Sequence, residues 1–126
     1  MAKKIHTYPV DGTSPRELAA IYRTIESEHE PIDVLVNNAG IYQGINFWEQ
    51  DLEIISRIID VNLKGTLFAT CLVLPSMIAR KQGRIINISS VSGTRGIHKE
   101  VTYGASKHGM IGMADALAQE VRSHGI

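Results

Sequence analysis

The feature that most limits the fold is the repeated pairing of a short apolar run with a longer helical pattern. Val34-Leu35-Val36 is apolar without alternation, which suits a strand covered on both faces in a parallel sheet. A helical pattern follows from about Leu52 to Leu74 and carries Ile54, Ile55, Ile58, Ile59, Leu63, Leu67, Phe68, Cys71 and Leu72. Gly83 separates it from a further apolar run, Arg84 to Ile88, which ends in Ser89-Ser90. A last helix is expected from about Tyr103 to Arg122, with Met110, Ala114, Leu117 and Val121 on its apolar stripe. Upstream, Ile5 to Val10 reads as a further short strand, and Pro9 suits it to an edge. Ser14-Pro15-Arg16-Glu17 then opens a helix: Ser14 as N-cap, Pro15 at N1 and Glu17 reaching back from N3. Pro31 ends that helix.

Strand and helix in alternation imply a parallel α/β sheet with crossover connections. Chemistry in such sheets collects at the carboxyl ends of the strands, and both polar clusters, Asn37-Asn38 and Ser89-Ser90, fall there.

Composition narrows the function classes. Thirteen Lys+Arg balance thirteen Asp+Glu, so no basic face points to nucleic acid. No uninterrupted apolar run reaches the length of a membrane span, and Met-Ala-Lys-Lys lacks a signal-peptide core. The expectation is a cytoplasmic chain with no nucleic-acid or membrane partner. One cysteine, Cys71, excludes an internal disulfide framework and reads as a packing residue on an apolar helix face. The five histidines lack metal-ligand spacing, so no metal site is expected.

Tyr103 and Lys107 are four residues apart and stack on one helix face. An ammonium near a phenol favours the phenolate, which lets a tyrosine act as acid or base toward a carbonyl or alcohol. Tyr-x-x-x-Lys is also a frequent accident on amphipathic helices. Ser90 closes a strand thirteen residues earlier, enough for a loop to bring its hydroxyl beside the phenol. Ser90 as a plain loop or capping serine is the alternative. Gly104, Ala105 and Gly109 leave room for a flat ligand on the same face. A Ser90/His98/Asp60 hydrolase triad is disfavoured because no Gly-x-Ser-x-Gly elbow surrounds the serine. Trp48 and Phe47 read as loop cover, and Arg95, His98 and Lys99 as either a substrate border or a solvated loop.

Asn37-Asn38-Ala39-Gly40, Asn62, Ser90 and Tyr103-x-x-x-Lys107, in this order and spacing, resemble the short-chain dehydrogenase/reductase family. The likeness is nearest to the branch of 3-oxoacyl-[acyl-carrier-protein] reductases. It implies a Rossmann-like, partial doubly wound parallel sheet, with residues 1–126 as a single incomplete NAD(P)-binding and catalytic domain. It also implies hydride transfer between NAD or NADP and a small-molecule carbonyl or alcohol. By resemblance Tyr103 is the acid/base and Ser90 holds the carbonyl oxygen. Lys107 favours the phenolate and binds the nicotinamide ribose. Asn62 kinks the long helix and holds a water in a proton relay through its main chain. Asn38, Ala39 and Gly40 pass close to the cofactor, and Asp11 lies near its adenine ring. A homodimer or homotetramer built on the 52–74 and Tyr103 helices is expected on the same basis.

The family's glycine-rich turn, Gly-x-x-x-Gly-x-Gly, has no counterpart upstream of Asp11, and Gly40-Ile41-Tyr42-Gln43-Gly44 continues as Ile45-Asn46. The sequence also stops before the family's substrate lid. The reading is therefore of a central portion, from the family's third strand to its sixth helix. In a sheet ordered 3-2-1-4-5-6, Ile5–Val10 then has no native partner, and the Val34–Val36 edge is open. The alternative function is an inactive chain that acts only by associating with full-length relatives.

Overall fold

Ser14 accepts a hydrogen bond from the Glu17 N–H at 3.3 Å and Pro15 stands at the first helical position, so the first helix starts where its local chemistry directs. Glu17 does not close the box on Ser14; its carboxylate takes the Asp11 N–H instead, because the Ser14 N–H is already given to the Asp11 carbonyl. The computed structural model describes residues 4–126. Its order is α1 (Pro15–Glu28), β1 (Val34–Asn37), α2 (Leu52–Ile59), α3 (Gly65–Arg80), β2 (Arg84–Asn87) and α4 (Val101–Val121).

The two strands pair in parallel, with Val34 opposite Arg84 and Asn37 opposite Asn87. Both strands form where the apolar runs stood, but the expected cover on both faces is not found: Val34, Val36 and Ile86 are 49%, 51% and 40% exposed, because with only two strands paired among the described residues one face lacks a packing layer. At the carboxyl ends the Asn37 amide donates to Asn87 Oδ1 at 2.8 Å and to Thr70 Oγ1 at 3.1 Å, locking sheet to α3. At the other end the Arg80 guanidinium grips Asp33 Oδ1 and the Ile32 carbonyl, each at 2.7 Å, fixing where α3 ends relative to where β1 begins.

Between α2 and α3 lies one π turn, Asp60–Lys64, so residues 52–80 run as a continuous helix. This exceeds the expected Leu52–Leu74 span because Pro75 is accommodated inside α3, and the helix ends only at Lys81 in the left-handed region. By length and composition alone this helix could cross a membrane, which counting uninterrupted apolar residues did not show. In the fold α1, α4 and β1 pack against α3.

Ile58, Val73, Met77 and Met110 have almost no exposed surface, and Asn62 and Ser106 are buried among them. The core thus lies between the long helix and α4, and it is partly polar where the site will be found. Two sequence expectations are corrected. Ile5–Val10 forms no strand: Pro9 cannot donate to a ladder, and Tyr8 is drawn instead to α1, with its hydroxyl 2.6 Å from His29 Nε2. Cys71 is exposed, because the apolar stripe of α3 that faces inward runs through Thr66, Thr70, Val73 and Met77.

Candidate active site

The site begins where β1 ends. The chain leaves Asn37 through Asn38, Ala39 and Gly40, all exposed, and is then clamped by a side chain from the π turn. Asn62 Oδ1 accepts from the Ile41 N–H at 2.8 Å, and Asn62 Nδ2 donates to the Ile41 carbonyl at 2.9 Å. The same amide donates to Ser106 Oγ at 3.1 Å, and Ser106 donates to the Tyr103 carbonyl at 2.7 Å. One fully buried asparagine therefore joins the β1 loop, the long helix and the first turns of α4. The Asn62 main-chain carbonyl accepts from Thr66 Oγ1 at 3.0 Å.

Lys107 lies one turn below Tyr103 on α4, buried, with Nζ donating to the Ile88 carbonyl at 2.7 Å just past β2. Nζ is 5.7 Å from the centroid of the Tyr103 ring. Burial holds the Lys107 ammonium below its usual pKa, since the charged form loses solvent. Gly40 comes close to both: a Cβ there would lie 3.4 Å from Asn62 Oδ1 and 3.7 Å from Lys107 Nζ. Gly40, Asn62, Tyr103 and Lys107 thus meet in one place, although they span 68 residues of sequence (107 − 40 + 1).

Ser90 is half-buried and caps the short turn Val91–Gly93, accepting the Ser92 N–H at 3.2 Å. Among the described residues it makes no hydrogen bond to Tyr103; its hydroxyl donates toward Ser92 Oγ at 3.4 Å. Asp11 is exposed and closes its own turn, accepting from Thr13 N at 2.9 Å and Thr13 Oγ1 at 2.7 Å. Those bonds to its charged form hold the Asp11 carboxyl below its usual pKa. Asp11 is not part of the Tyr103 cluster. Its neighbours Val10, Gly12 and Thr13 and the residues Asn37, Asn38 and Ala39 line a cleft of ≈ 290 Å³ between the N-terminal segment, α1, β1 and α3. Asp60 is held by Lys64 at 2.7 Å, so the Ser90/His98/Asp60 grouping is not assembled.

Sequence reasoning missed Tyr42, Ser92, Glu100 and Ser106. The Tyr42 ring meets the Tyr103 ring edge-on at 5.2 Å and 78°. Ser106, three residues after Tyr103, carried a signal in its helical spacing; the others depend on loop closure. Arg95, His98 and Lys99 are exposed, as is Trp48, at 82% of its surface, so the tryptophan covers nothing.

Comparison with known proteins shows the family and the fold. The family model described as short chain dehydrogenase matches residues 1–126. An acetoacetyl-CoA reductase of Acinetobacter sp. is 47% identical over 102 residues, covering 81% of this chain and 41% of that protein. The 3-oxoacyl-[acyl-carrier-protein] reductase FabG of Vibrio cholerae is 38% identical over 114 residues, covering 90% of this chain and 47% of its own length. A metagenomic short-chain oxidoreductase solved in complex with NADP superposes with a TM-score of 0.89 at 34% identity, over 94% of this chain and 54% of that one. ElxO with NADP bound gives a TM-score of 0.91 at 33% identity, over 94% and 48%. The chain spans about half the length of the curated relatives it matches. It belongs to the short-chain dehydrogenase family.

Proposed function

We propose that this chain carries the catalytic portion of an NAD(P)-dependent oxidoreductase that interconverts a carbonyl and an alcohol, with Tyr103 as the acid/base. The observation that carries the reading is the pairing of Tyr103 with a buried ammonium one helical turn away, at the carboxyl end of a parallel sheet.

The residues present suit one end of a nicotinamide dinucleotide. Gly40 leaves the space beside Asn62 and Lys107 that a Cβ would enter, and two of the three Lys107 N–H groups remain for ribose hydroxyls once Ile88 has taken one. The cleft flanked by Gly12, Thr13, Asn38 and Ala39, with Asp11 at its rim, suits the adenine end. No described residues form a glycine-rich turn for the pyrophosphate. Bound there, the nicotinamide would supply the hydride. Tyr103 would give its proton to the carbonyl oxygen on reduction and take it back on oxidation. Lys107 supports the negative charge left on the phenol oxygen. Asn62 keeps Tyr103 and the Ile41 loop in register, and its main-chain carbonyl would hold a relay water. Ser90 would turn its hydroxyl from Ser92 to the substrate oxygen, giving up a bond of only 3.4 Å.

The test is NADH and NADPH binding by fluorescence titration, with reduction of acetoacetyl-CoA followed alongside. Tyr103→Phe should keep cofactor affinity and lose about 10³-fold in turnover, the scale of general acid catalysis. Lys107→Ala should weaken both. Turnover that survives Tyr103→Phe would sink the assignment.

The open edge of β1 favours a second reading, in which the chain acts by associating with longer relatives. Mixing it with such a relative and finding no hetero-oligomer would remove that reading.

A further inference from the structure

The loop from Ile41 to Gln50 is strapped against the start of α4. Gln50 accepts from the Thr102 hydroxyl and donates from Nε2 to Gln43 Oε1 at 3.1 Å. Within this strap Tyr42 folds back over Gly44, where any side chain would collide with its hydroxyl, and its ring rests on Tyr103. Glu100, the residue just before α4, is half-buried and stands three residues, about one helical turn, ahead of Tyr103. Its carboxylate accepts from the hydroxyl of Ser92, which is only 4% exposed.

Among the described residues this carboxylate has no cationic partner. The ion pairs among the described residues are Lys64–Asp60 and Arg80–Asp33, and neither Arg95, His98, Lys99 nor His108 comes within pairing distance of Glu100. His108, which lines the same cavity, has its Nδ1 3.0 Å from the Gly104 carbonyl. The cavity, of ≈ 200 Å³, is bounded by Ser92, Gly96, Ile97, Glu100, Gly104 and His108. Partial withdrawal from solvent and then the negative charge of Glu100 hold the Tyr42 phenol above its usual pKa, so this hydroxyl stays protonated. Glu100 accepts and carries charge, and the one serine bond leaves most of its lone pairs open.

We propose that Glu100, set by Ser92 and flanked by Tyr42, is a specificity-determining subsite beside Tyr103 that favours substrates bearing a cationic or hydrogen-bond-donating group near the reacting carbonyl and disfavours a carboxylate there. The inference rests on the assignment of Tyr103 as the reacting group, and it is tested by binding as well as by turnover.

Three small ketones of different charge serve as probes: acetonyltrimethylammonium, 4-hydroxybutan-2-one and acetoacetate. Their affinities are read from the amide resonances of Ser92 and Gly104. The cation should bind about fivefold more tightly than acetoacetate, the upper range of a solvent-accessible ion pair, with the alcohol between. Glu100→Gln keeps the acceptor for Ser92 and removes the charge; it should erase the preference, and Glu100→Lys should reverse it. Equal affinities in the unaltered chain, no binding of the cation, or a preference that survives Glu100→Gln and so belongs to the tyrosine rings would each overturn the proposal. Charge-selective binding without turnover would leave the subsite standing and remove the catalytic assignment. Turnover without charge selectivity would do the opposite.

Discussion

Asn62 has no exposed surface and commits both ends of its amide: Oδ1 to the Ile41 N–H, Nδ2 to the Ile41 carbonyl and Ser106 Oγ. Removing that amide takes one partner from the buried Ser106 hydroxyl and from the part-buried N–H and carbonyl of Ile41. Asn62→Ala should therefore cost about 3 kcal/mol of stability, read from the urea midpoint at unchanged slope, more than a lone surface hydrogen bond would. Lys107 gives a pH signature. Its ammonium is held below the usual lysine pKa by burial, so the unfolded chain binds more protons than the folded one in the window between the lowered value and 10.5. Stability must rise with pH across that window, because the cost of burying the charge fades as the proton leaves. Lys107→Met should remove this rise, and the difference between the two stability-versus-pH curves below pH 10.5 measures it. Tyr8, Tyr22 and Tyr42 have raised values and act in the opposite direction above pH 10, so the comparison must be made as a difference. Of these residues, Tyr103 and Lys107 were legible from a spacing of one helical turn. The Asn62 clamp was not: it joins residues 21 and 44 positions apart, which no local period encodes.

At the level of elements, what the sequence predicted well was what short-range chemistry decides. The start of α1 needs only Ser14 and Pro15, and Ser14→Ala should cost about 1 kcal/mol, seen as a lowered thermal midpoint. The two paired strands declared themselves as short apolar runs, Val34-Leu35-Val36 and Ile85-Ile86, although one face of each is left exposed at Val34, Val36 and Ile86. Ile5–Val10 has similar residues but no neighbouring strand, and a strand is defined by its partner as much as by its residues. The same dependence governs the turn after β2. Gly93 packs so tightly against α4 that a Cβ would lie 2.6 Å from Ser89 Oγ and 2.9 Å from the Lys107 carbonyl. The carbonyl is backbone and cannot swing aside. Gly93→Ala should destabilise by about 2 kcal/mol. It should also weaken cofactor binding more than Ser14→Ala does, because it displaces the helix that carries Lys107. A fluorescence titration of the two variants side by side checks this.

For the whole molecule, a parallel sheet of two strands is a small platform. β1 has Val34 and Val36 about half exposed (49% and 51%), with one edge facing the cleft beneath α1. Exposed apolar strand edges pair with other chains. The chain should therefore self-associate as its concentration rises, and Val36→Lys should shift sedimentation toward the monomer without changing the far-ultraviolet dichroism. Lys107 is anchored on the Ile88 carbonyl just past β2, so Val36→Lys should leave it in place.

The π turn at Asp60–Lys64 has a consequence for how this sequence could vary. There the Gly65 N–H reaches back five residues to the Asp60 carbonyl, so the turn amounts to one residue more than an α-helix would use. Deleting any single residue from it would restore plain α geometry and leave α3 in nearly the same phase, because the π turn already absorbs the extra residue. Thr70 would still face Asn37, Arg80 would still reach Asp33, and Met77 would stay in the interior. Loss of one residue here is thus taken up within the turn, whereas the same loss inside α3 would turn everything after it by about 100° about the helix axis.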